Sequence, residues 1–362
     1  MGELNTRGFV TTNRFEVGLT ANDLRFTPPD LPEDELRKFL QQNYGVSGDF
    51  KRLAGERDQN FRVRQPDGTS YVYKISSPDE VQSLVDFQIR ALEHIEHTNP
   101  ALPVPRQIRS LDGELSTTLQ DAQGREHAVR LLSYLAGEPM ADFGEASSLT
   151  ARRLGALQGS LCRTLQSFSH PAATQFMPWD SMNGLVISPS LRNNYLPPEI
   201  LDRCIPVLAH LEQEALPIMH SFDAQVIHND AHAGNVMVDP GDREHITGLI
   251  DFGDMVQRPI VVDISISMAS MMDTCSDGLA TARALVSGFE EHMVLPDAQR
   301  EVLYDAVLAR QLLTVQLLTF RAMHTRCSPE LLEVDVPETI AGLLKTMDID
   351  RNEFLDAIQG DD

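Results

Sequence analysis

Apolar positions change their spacing several times along the chain, and each change marks an element. Residues 1 to about 24 are polar and aperiodic. Thr27-Pro28-Pro29-Asp30-Leu31-Pro32 then leads into residues 33–44, where Leu36, Phe39 and Leu40 share one helical face. From Phe50 to Ile75 the period becomes two. Phe61 and Val63 alternate with polar neighbours, Pro66-Asp67-Gly68 supplies a turn, and Tyr71, Tyr73 and Ile75 alternate again, which predicts an antiparallel hairpin. Ser77-Pro78-Asp79-Glu80 reads as a helix start, followed by Val81, Leu84, Val85, Ile89, Leu92 and Ile95 at helical spacing up to the Asn99-Pro100 stop. Short strands are expected from Arg106 to Leu135, broken at Asp112-Gly113 and Gly124.

After Gly137 the character shifts to long amphipathic helices, predicted at roughly 147–168, 197–221, 278–293, 297–325 and 336–359. They are interrupted once. Val226-Ile227-His228, then Asn235 to Asp239, a Pro240-Gly241-Asp242 turn and Ile246 to Ile250 form a hairpin with polar residues at both mouths. The whole predicts an α+β chain of two lobes joined near Tyr134. A polar tail (1–24) precedes a small antiparallel-sheet lobe (25–133), and a larger, mostly helical lobe (134–362) carries the hairpin.

Composition narrows the function classes. Thirty Lys and Arg against 53 Asp and Glu give a net charge of −23 over 362 residues, with no basic stripe, which argues against a nucleic-acid partner. The acid excess reads as solubility by self-repulsion. Only four lysines are present, Lys38, Lys51, Lys74 and Lys345. Cys162, Cys204, Cys275 and Cys327 are far apart with no C-x-x-C spacing, so neither a disulfide framework nor a zinc knuckle is expected. No stretch approaches the ~20 apolar residues of a membrane span. The start lacks the pattern of a signal peptide, and a cytoplasmic protein without a membrane partner is expected.

Chemistry-bearing side chains concentrate at His228-Asn229-Asp230-Ala231-His232-Ala233-Gly234-Asn235 and, sixteen residues after Asn235, at Asp251-Phe252-Gly253-Asp254. Phosphoryl transfer needs a carboxylate for the attacking hydroxyl, oxygen ligands for Mg²⁺ and a cation on the nucleotide phosphates. Asp230, the pair Asn235 and Asp251, and Lys74 supply these in that order. The hairpin between Asn235 and Ile250 returns the chain so that Asp251 lies beside Asn235. The same residue types admit another reading, in which His228, Asp230 and His232, with Asp251 as a fourth ligand, hold zinc or a di-metal centre in a metallohydrolase.

HNDAHAGN followed by IDFGD resembles the H-x-D-x-x-x-x-N and I-D motifs of the aminoglycoside phosphotransferase and choline kinase family, small-molecule kinases with a protein-kinase-like fold. Further stretches, LAGERDQNFRV (53–63), YVYKI (71–75), LPVPR (102–106), FSHPA and WD (168–172, 179–180) and IDFGDMVQRPIVVDISI (250–266), are similar to its hydroxylysine kinase branch. The resemblance spans about residues 30 to 345. It implies a bilobal kinase that transfers the γ-phosphate of ATP or GTP, with Mg²⁺, to a small hydroxylated amine or amino acid. Hydroxylysine comes first among the acceptors, with homoserine, choline, ethanolamine or an aminoglycoside as alternatives. A kinase fold that only binds, without catalysis, is the competing reading of another class.

Carried over residue by residue, Asp230 matches the catalytic base, His228 a support of its loop, Asn235 and Asp251 the metal ligands and Lys74 the phosphate lysine. Gly55 to Asn60 matches the phosphate-covering loop, with Gly55 permitting close backbone approach. Ser133-Tyr134-Leu135 matches the lobe hinge, whose backbone holds the base. Relatives pair the strand lysine with a Glu on the first-lobe helix. Gln88 occupies that position here, with Glu80 and Glu93 as substitutes. Trp179 and Asp180 are candidates for an acceptor ammonium, through ring face and charge, and Asp254 is a third substrate candidate. Asp263, after Pro259-Ile260, is expected to be a structural cap.

Overall fold

The computed structural model describes residues 28–55, 57–324 and 331–359, so the expected tail over 1–24, and Cys327, lie outside the described residues. Helix α1 (Glu33–Tyr44) buries Leu36, Leu40 and Tyr44 and ends on Gly45 at φ 68, a left-handed stop that suits glycine. Where the alternation predicts one hairpin, three strands form, β1 (Asp49–Leu53), β2 (Gln59–Arg64) and β3 (Ser70–Ile75). The extra strand, β1, has no fully buried residue, so it carries no apolar signal of its own.

Helix α2 (Gln82–Thr98) follows, then β4 (Gln107–Ile108), β5 (Thr117–Gln120) and β6 (Glu126–Ser133). The antiparallel sheet runs β1-β2-β3-β6-β4, with β5 also on β6. Register places the chemistry. Asn60 faces Lys74, and Lys74 faces Arg130, so the three lie in one row across β2, β3 and β6 with their side chains on one face. The alternate residues Phe61, Val63, Tyr73, Ile75, Val129 and Leu131 point the other way and form a small core with α1.

The larger lobe begins at β7 (Glu138–Pro139) and α3 (Ser148–Leu165), followed by α4 (Pro189–Tyr195), α5 (Pro198–His210) and α6 (Leu216–His220). The helix predicted over 197–221 is continuous but loosened into π geometry at Leu211–Ala215, between Pro206 inside α5 and Pro217 at the start of α6. Then come β8 (Gln225–Ile227), the hairpin β9 (Val236–Asp239) with β10 (Asp242–Leu249), and β11 (Val256–Arg258), which pairs with β8.

Helix α7 (Ile260–Thr274) is absent from the sequence reading, which has no helix between 252 and 278. Twelve of its residues are buried, Asp263, Ser265 and Ser267 among them, so it is covered on every face and has no amphipathic period to detect. Helices α8 (Gly278–Glu290), α9 (Asp297–Arg300), α10 (Leu303–His324), α11 (Val336–Met347) and α12 (Arg351–Ile358) complete the lobe. The single helix expected over 336–359 is two, because the Asp350 side chain accepts the N–H groups of Asn352 and Glu353 and caps a new start. Helices α3 and α8 cross closely. A methyl on Gly155, Gly159 or Gly288 would overlap a backbone carbonyl of the opposite helix.

The apolar interior is divided in two. Helix α2 contributes Phe87, Ala91, Leu92 and Ile95 to the large core of the helical lobe, not to the sheet core. Phe87 stacks on Phe168 and on His170, and His170 bonds Asp86 at 3.1 Å. Among the described residues no helix is long and apolar enough to cross a membrane.

Candidate active site

Two strand ends set the site. The chain leaves β8 through Asn229 at φ 63 and leaves β10 through Asp251 at φ 62, the two non-glycine residues of positive φ among the described residues. Each strained residue is tied down. Asn229 donates its N–H to Asp263 Oδ1 at 2.8 Å and its amide Nδ2 to the Asp254 carbonyl at 3.0 Å, and Asp251 Oδ1 accepts from Gly253 N–H at 3.2 Å. Asp263 therefore holds the loop from below, as a support and not as a helix cap. Ile250 N–H bonds the Asn235 carbonyl at 2.9 Å, which sets Asp251 next to Asn235.

Asp230 is held from three sides. Arg310 Nη2 donates to Oδ1 at 3.0 Å, Asn235 Nδ2 donates to Oδ2 at 2.8 Å, and the Asp230 N–H donates to His228 Nδ1 at 3.2 Å. Burial, then the Asp254 carboxylate, push its pKa well up, against the pull of Arg310. His228 lies wholly buried, edge-on to Phe252, and burial lowers its pKa to about 4, so the ring is neutral with Nδ1 as acceptor. Ser267 Oγ donates to the Ala231 carbonyl at 2.5 Å and Ser270 Oγ accepts Ala233 N–H at 3.0 Å, so α7 grips the loop at successive turns.

A cavity of about 360 Å³ opens between the lobes. It brings together Gly55, Asn60, Lys74, Asp230, Asp251 and Asp254, with Trp179 on its far wall. Lys74 Nζ is 3.1 Å from Asp58 Oδ2 and 3.7 Å from Asp251 Oδ1. Burial alone would lower the lysine's pKa, but the carboxylates of Asp251 and Asp58 outweigh it and leave it raised. The Lys74 ammonium in turn holds Asp251 below the usual carboxylate range. A side chain on Gly55 would run into the Asp58 carbonyl and the Asn60 amide, so glycine is what lets this loop fold over the site.

The helix partner of Lys74 requires correction. Gln88 accepts from Arg130 Nη1 at 2.7 Å, and Glu93 is paired outside with Arg90 and Arg109. Glu80 lines the cavity, but the lysine's nearest carboxylate is Asp58, from the loop itself. Asp180 is also reassigned. It is buried, does not line the cavity, and takes Arg258 on both oxygens at 2.6 and 3.2 Å. Trp179 lines the cavity, yet Arg310 and Arg321 stand 5.4 and 5.5 Å from its ring centroid, so guanidinium groups already occupy the ring. Asp254 is ion-paired with Arg57 of the covering loop.

Ser133, Leu135, His228 and Asn235 do not line this cavity. Ser133 is spent on Arg106, donating N–H to its carbonyl and accepting its N–H on Oγ, both at 2.8 Å. Among the described residues none hydrogen-bonds the main chain of Leu135, which leaves that N–H and carbonyl open.

Asn235 uses its Nδ2 on Asp230, so its amide oxygen is the atom left for a cation, beside the ionised and half-exposed Asp251 carboxylate. Hard oxygen donors of this kind fit Mg²⁺. His228 and His232 each turn Nδ1 to a backbone N–H, which leaves only Nε2 of each ring for a metal. Among the described residues no group of three His, Cys, Asp or Glu is placed to hold a metal ion. Arg310 and Arg130 are site residues that sequence reasoning missed, while Arg57 and Asp58 were read only as part of the covering loop, without their partners Asp254 and Lys74. Arg310 was signalled only as a charge inside the apolar helix α10.

A lysine-bearing sheet above a carboxylate loop, with the helical lobe below, defines the kinase class of phosphotransferases. The chain belongs to the phosphotransferase enzyme family, whose model matches residues 49–295, and is a small-molecule phosphotransferase acting on a hydroxyl group. It is 22% identical to hydroxylysine kinase of Danio rerio over 339 residues, covering 90% of this chain and 94% of that protein. Its fold is shared with a microcompartment-associated aminopropanol kinase (TM-score 0.68, 18% identity, 86% and 95% coverage). It is also shared with an amicoumacin kinase in complex with AMP-PNP and Ca²⁺ (TM-score 0.67, 17% identity, 89% and 97% coverage).

Proposed function

We propose that the protein transfers the γ-phosphate of ATP or GTP, with Mg²⁺, to the hydroxyl of a small hydroxylated amine or amino acid of the hydroxylysine type. The observation that carries this reading is the convergence of Asp230, Lys74 and Asp251 on one cavity, with Asn235 bonded to Asp230 and adjacent to Asp251. Relatives named as hydroxylysine kinases support the acceptor, and the amicoumacin kinase complex with AMP-PNP and a divalent cation supports the donor.

In this reading Asp230 orients the acceptor hydroxyl and takes its proton. Lys74 exchanges Asp58 for the nucleotide phosphates, while Gly55 and Asn60 cover them and the open main chain of Leu135, next to Ser133, meets the base. Asn235 and Asp251 would hold the metal, which when bound would supply charge neutralisation on the transferring group. His228 keeps the loop in shape through the Asp230 N–H.

Acceptor-dependent release of ADP and GDP across hydroxylysine, homoserine, choline, ethanolamine and an aminoglycoside tests the reading, with Asp230→Asn as the blank. Turnover with one acceptor that falls by several orders of magnitude in Asp230→Asn is expected. Turnover that survives this substitution removes Asp230 from the role of base. Asp251→Ala is expected to abolish Mg²⁺-dependent nucleotide binding, and unchanged binding takes Asp251 out of the metal site.

A further inference from the structure

The amine of the acceptor needs a counter-charge, and the residues that first suggested one are occupied: Asp180 by Arg258, and Trp179 by Arg310 and Arg321. The cavity continues past Asp230 between α7 and α10. On α7, Ile266, Ala269, Ser270 and Asp273 recur at helical spacing, and on α10 Arg310, Gln311, Thr314 and Leu318 do the same, so one stripe from each helix walls this end.

Gln311 Nε2 donates to Asp273 Oδ1 at 2.6 Å and to Thr346 Oγ1 at 3.0 Å, which fixes the orientation of the amide. Its oxygen then has no donor, although the residue is buried and lines the cavity. Asp273 has no ion pair among the described residues. Lys345, the nearest cation felt by its carboxyl, donates to the Met272 and Cys275 carbonyls. A carboxylate in the last turn of α7 thus lines this end of the cavity, with no hydrogen bond to its Oδ2 among the described residues, and behind it lies a buried amide oxygen without a donor. The negative end of the helix dipole adds to their preference for a cation.

Their place relative to the reacting centre is set by neighbouring residues. Arg310 holds Asp230 and the next residue, Gln311, holds Asp273. On α7, Ser270 holds the catalytic loop, and Asp273 lies three residues on, ~4.5 Å along the axis. Ile266, Ala269 and Leu318 supply apolar wall.

Resting on the kinase reading above, we propose that Asp273, its carboxylate oriented by the Gln311 amide, binds a primary ammonium of the acceptor and thereby selects amines whose hydroxyl lies a short aliphatic chain away. Burial raises the Asp273 carboxyl to about 7, against Gln311 and Lys345, so an arriving ammonium replaces a proton that the empty site partly retains.

The test compares kcat/KM for 5-hydroxylysine with that for its two deaminated counterparts, one lacking the ε-amine and one the α-amine. The wild-type protein is expected to disfavour one counterpart by roughly 30-fold or more, the loss from deleting one partner of a buried charged bond. Asp273→Asn should bring that ratio close to one, and Asp273→Glu, which keeps the charge, should keep the preference. All three acceptors are read on the same protein, so a general loss of folding or of nucleotide affinity leaves the ratios intact. Equal use of all three acceptors by the wild type overturns the proposal, as does a preference that Asp273→Asn leaves unchanged. Transfer to none of these acceptors, with hydroxylysine included, defeats the hydroxylysine reading itself; transfer with a flat ratio defeats only the ammonium site.

Discussion

The contact between Arg310 and Asp230 makes the sharpest energetic prediction. Arg310 is 7% exposed in its side chain and Asp230 14%, with 3.0 Å between Nη2 and Oδ1. At an effective dielectric of about 20, charges ~4 Å apart attract by about 4 kcal/mol, and deleting one member of a buried pair costs about 3–5 kcal/mol. Arg310→Met also loses the 2.8 Å bond to the Trp179 carbonyl, worth about 1 kcal/mol. Part of the loss is recovered because Asp230, already raised by burial and Asp254, takes up a proton when the guanidinium leaves. A net destabilisation of about 3 kcal/mol follows from these terms. Urea unfolding of wild type, Arg310→Met, Asp230→Asn and the double variant closes a cycle, with an expected coupling of about 2–3 kcal/mol. Additive losses, with coupling under about 0.5 kcal/mol, would refute the pairing as the source of the effect. The same substitution should lower kcat/KM by about 10²–10³-fold, since it removes the donor that orients the base.

Two further outcomes concern the scaffold. Asp263, whose carboxyl burial raises to about 6, binds its proton more tightly in the folded chain than in the unfolded one. The stability it contributes is therefore present below about pH 4 and lost as pH rises through 6. Asp263→Asn should flatten the change in urea midpoint between those values, and an unaltered slope would show that Asp263 does not titrate there. Gly288→Ala sets a methyl against the Arg152 carbonyl at the α3–α8 crossing, where backbone cannot yield. It should cost about 1–3 kcal/mol or more and several degrees of melting temperature. An unchanged melting temperature would mean that the helices part without penalty.

What could be read ahead of the structure followed the type of signal. Lys74, Asp230, Asn235 and Asp251 stand in local patterns, at the end of an alternating strand or inside a loop between two strands, and such patterns survive in a linear text. The α2 helix and the sheet strands showed themselves through their period. Helix α7 did not, because a helix buried on all sides has no polar face to give it a rhythm. Partners across the fold were equally hidden. Asp58 is sixteen residues from Lys74 and Arg310 is eighty from Asp230, and neither spacing has a local rule. The partners of Trp179 and Asp180 were hidden for the same reason: Arg258, Arg310 and Arg321, which pack on those groups, come from β11 and α10.

The placement of α2 bears on how the cleft breathes. Its apolar side is sunk in the interior of the larger lobe, while the six strands and α1 enclose a small interior of their own. Tilting the sheet away therefore exposes little oily surface, whereas dragging α2 along would tear the larger interior open. The sheet with α1, and the larger lobe with α2, are thus the two units that this packing would let part at least cost. The Arg130–Gln88 bond ties the sheet to α2, and the Arg57–Asp254 ion pair ties the covering loop to the larger lobe. The boundary between the two interiors thus runs between β3 and α2, inside what the chain order alone would count as a single lobe.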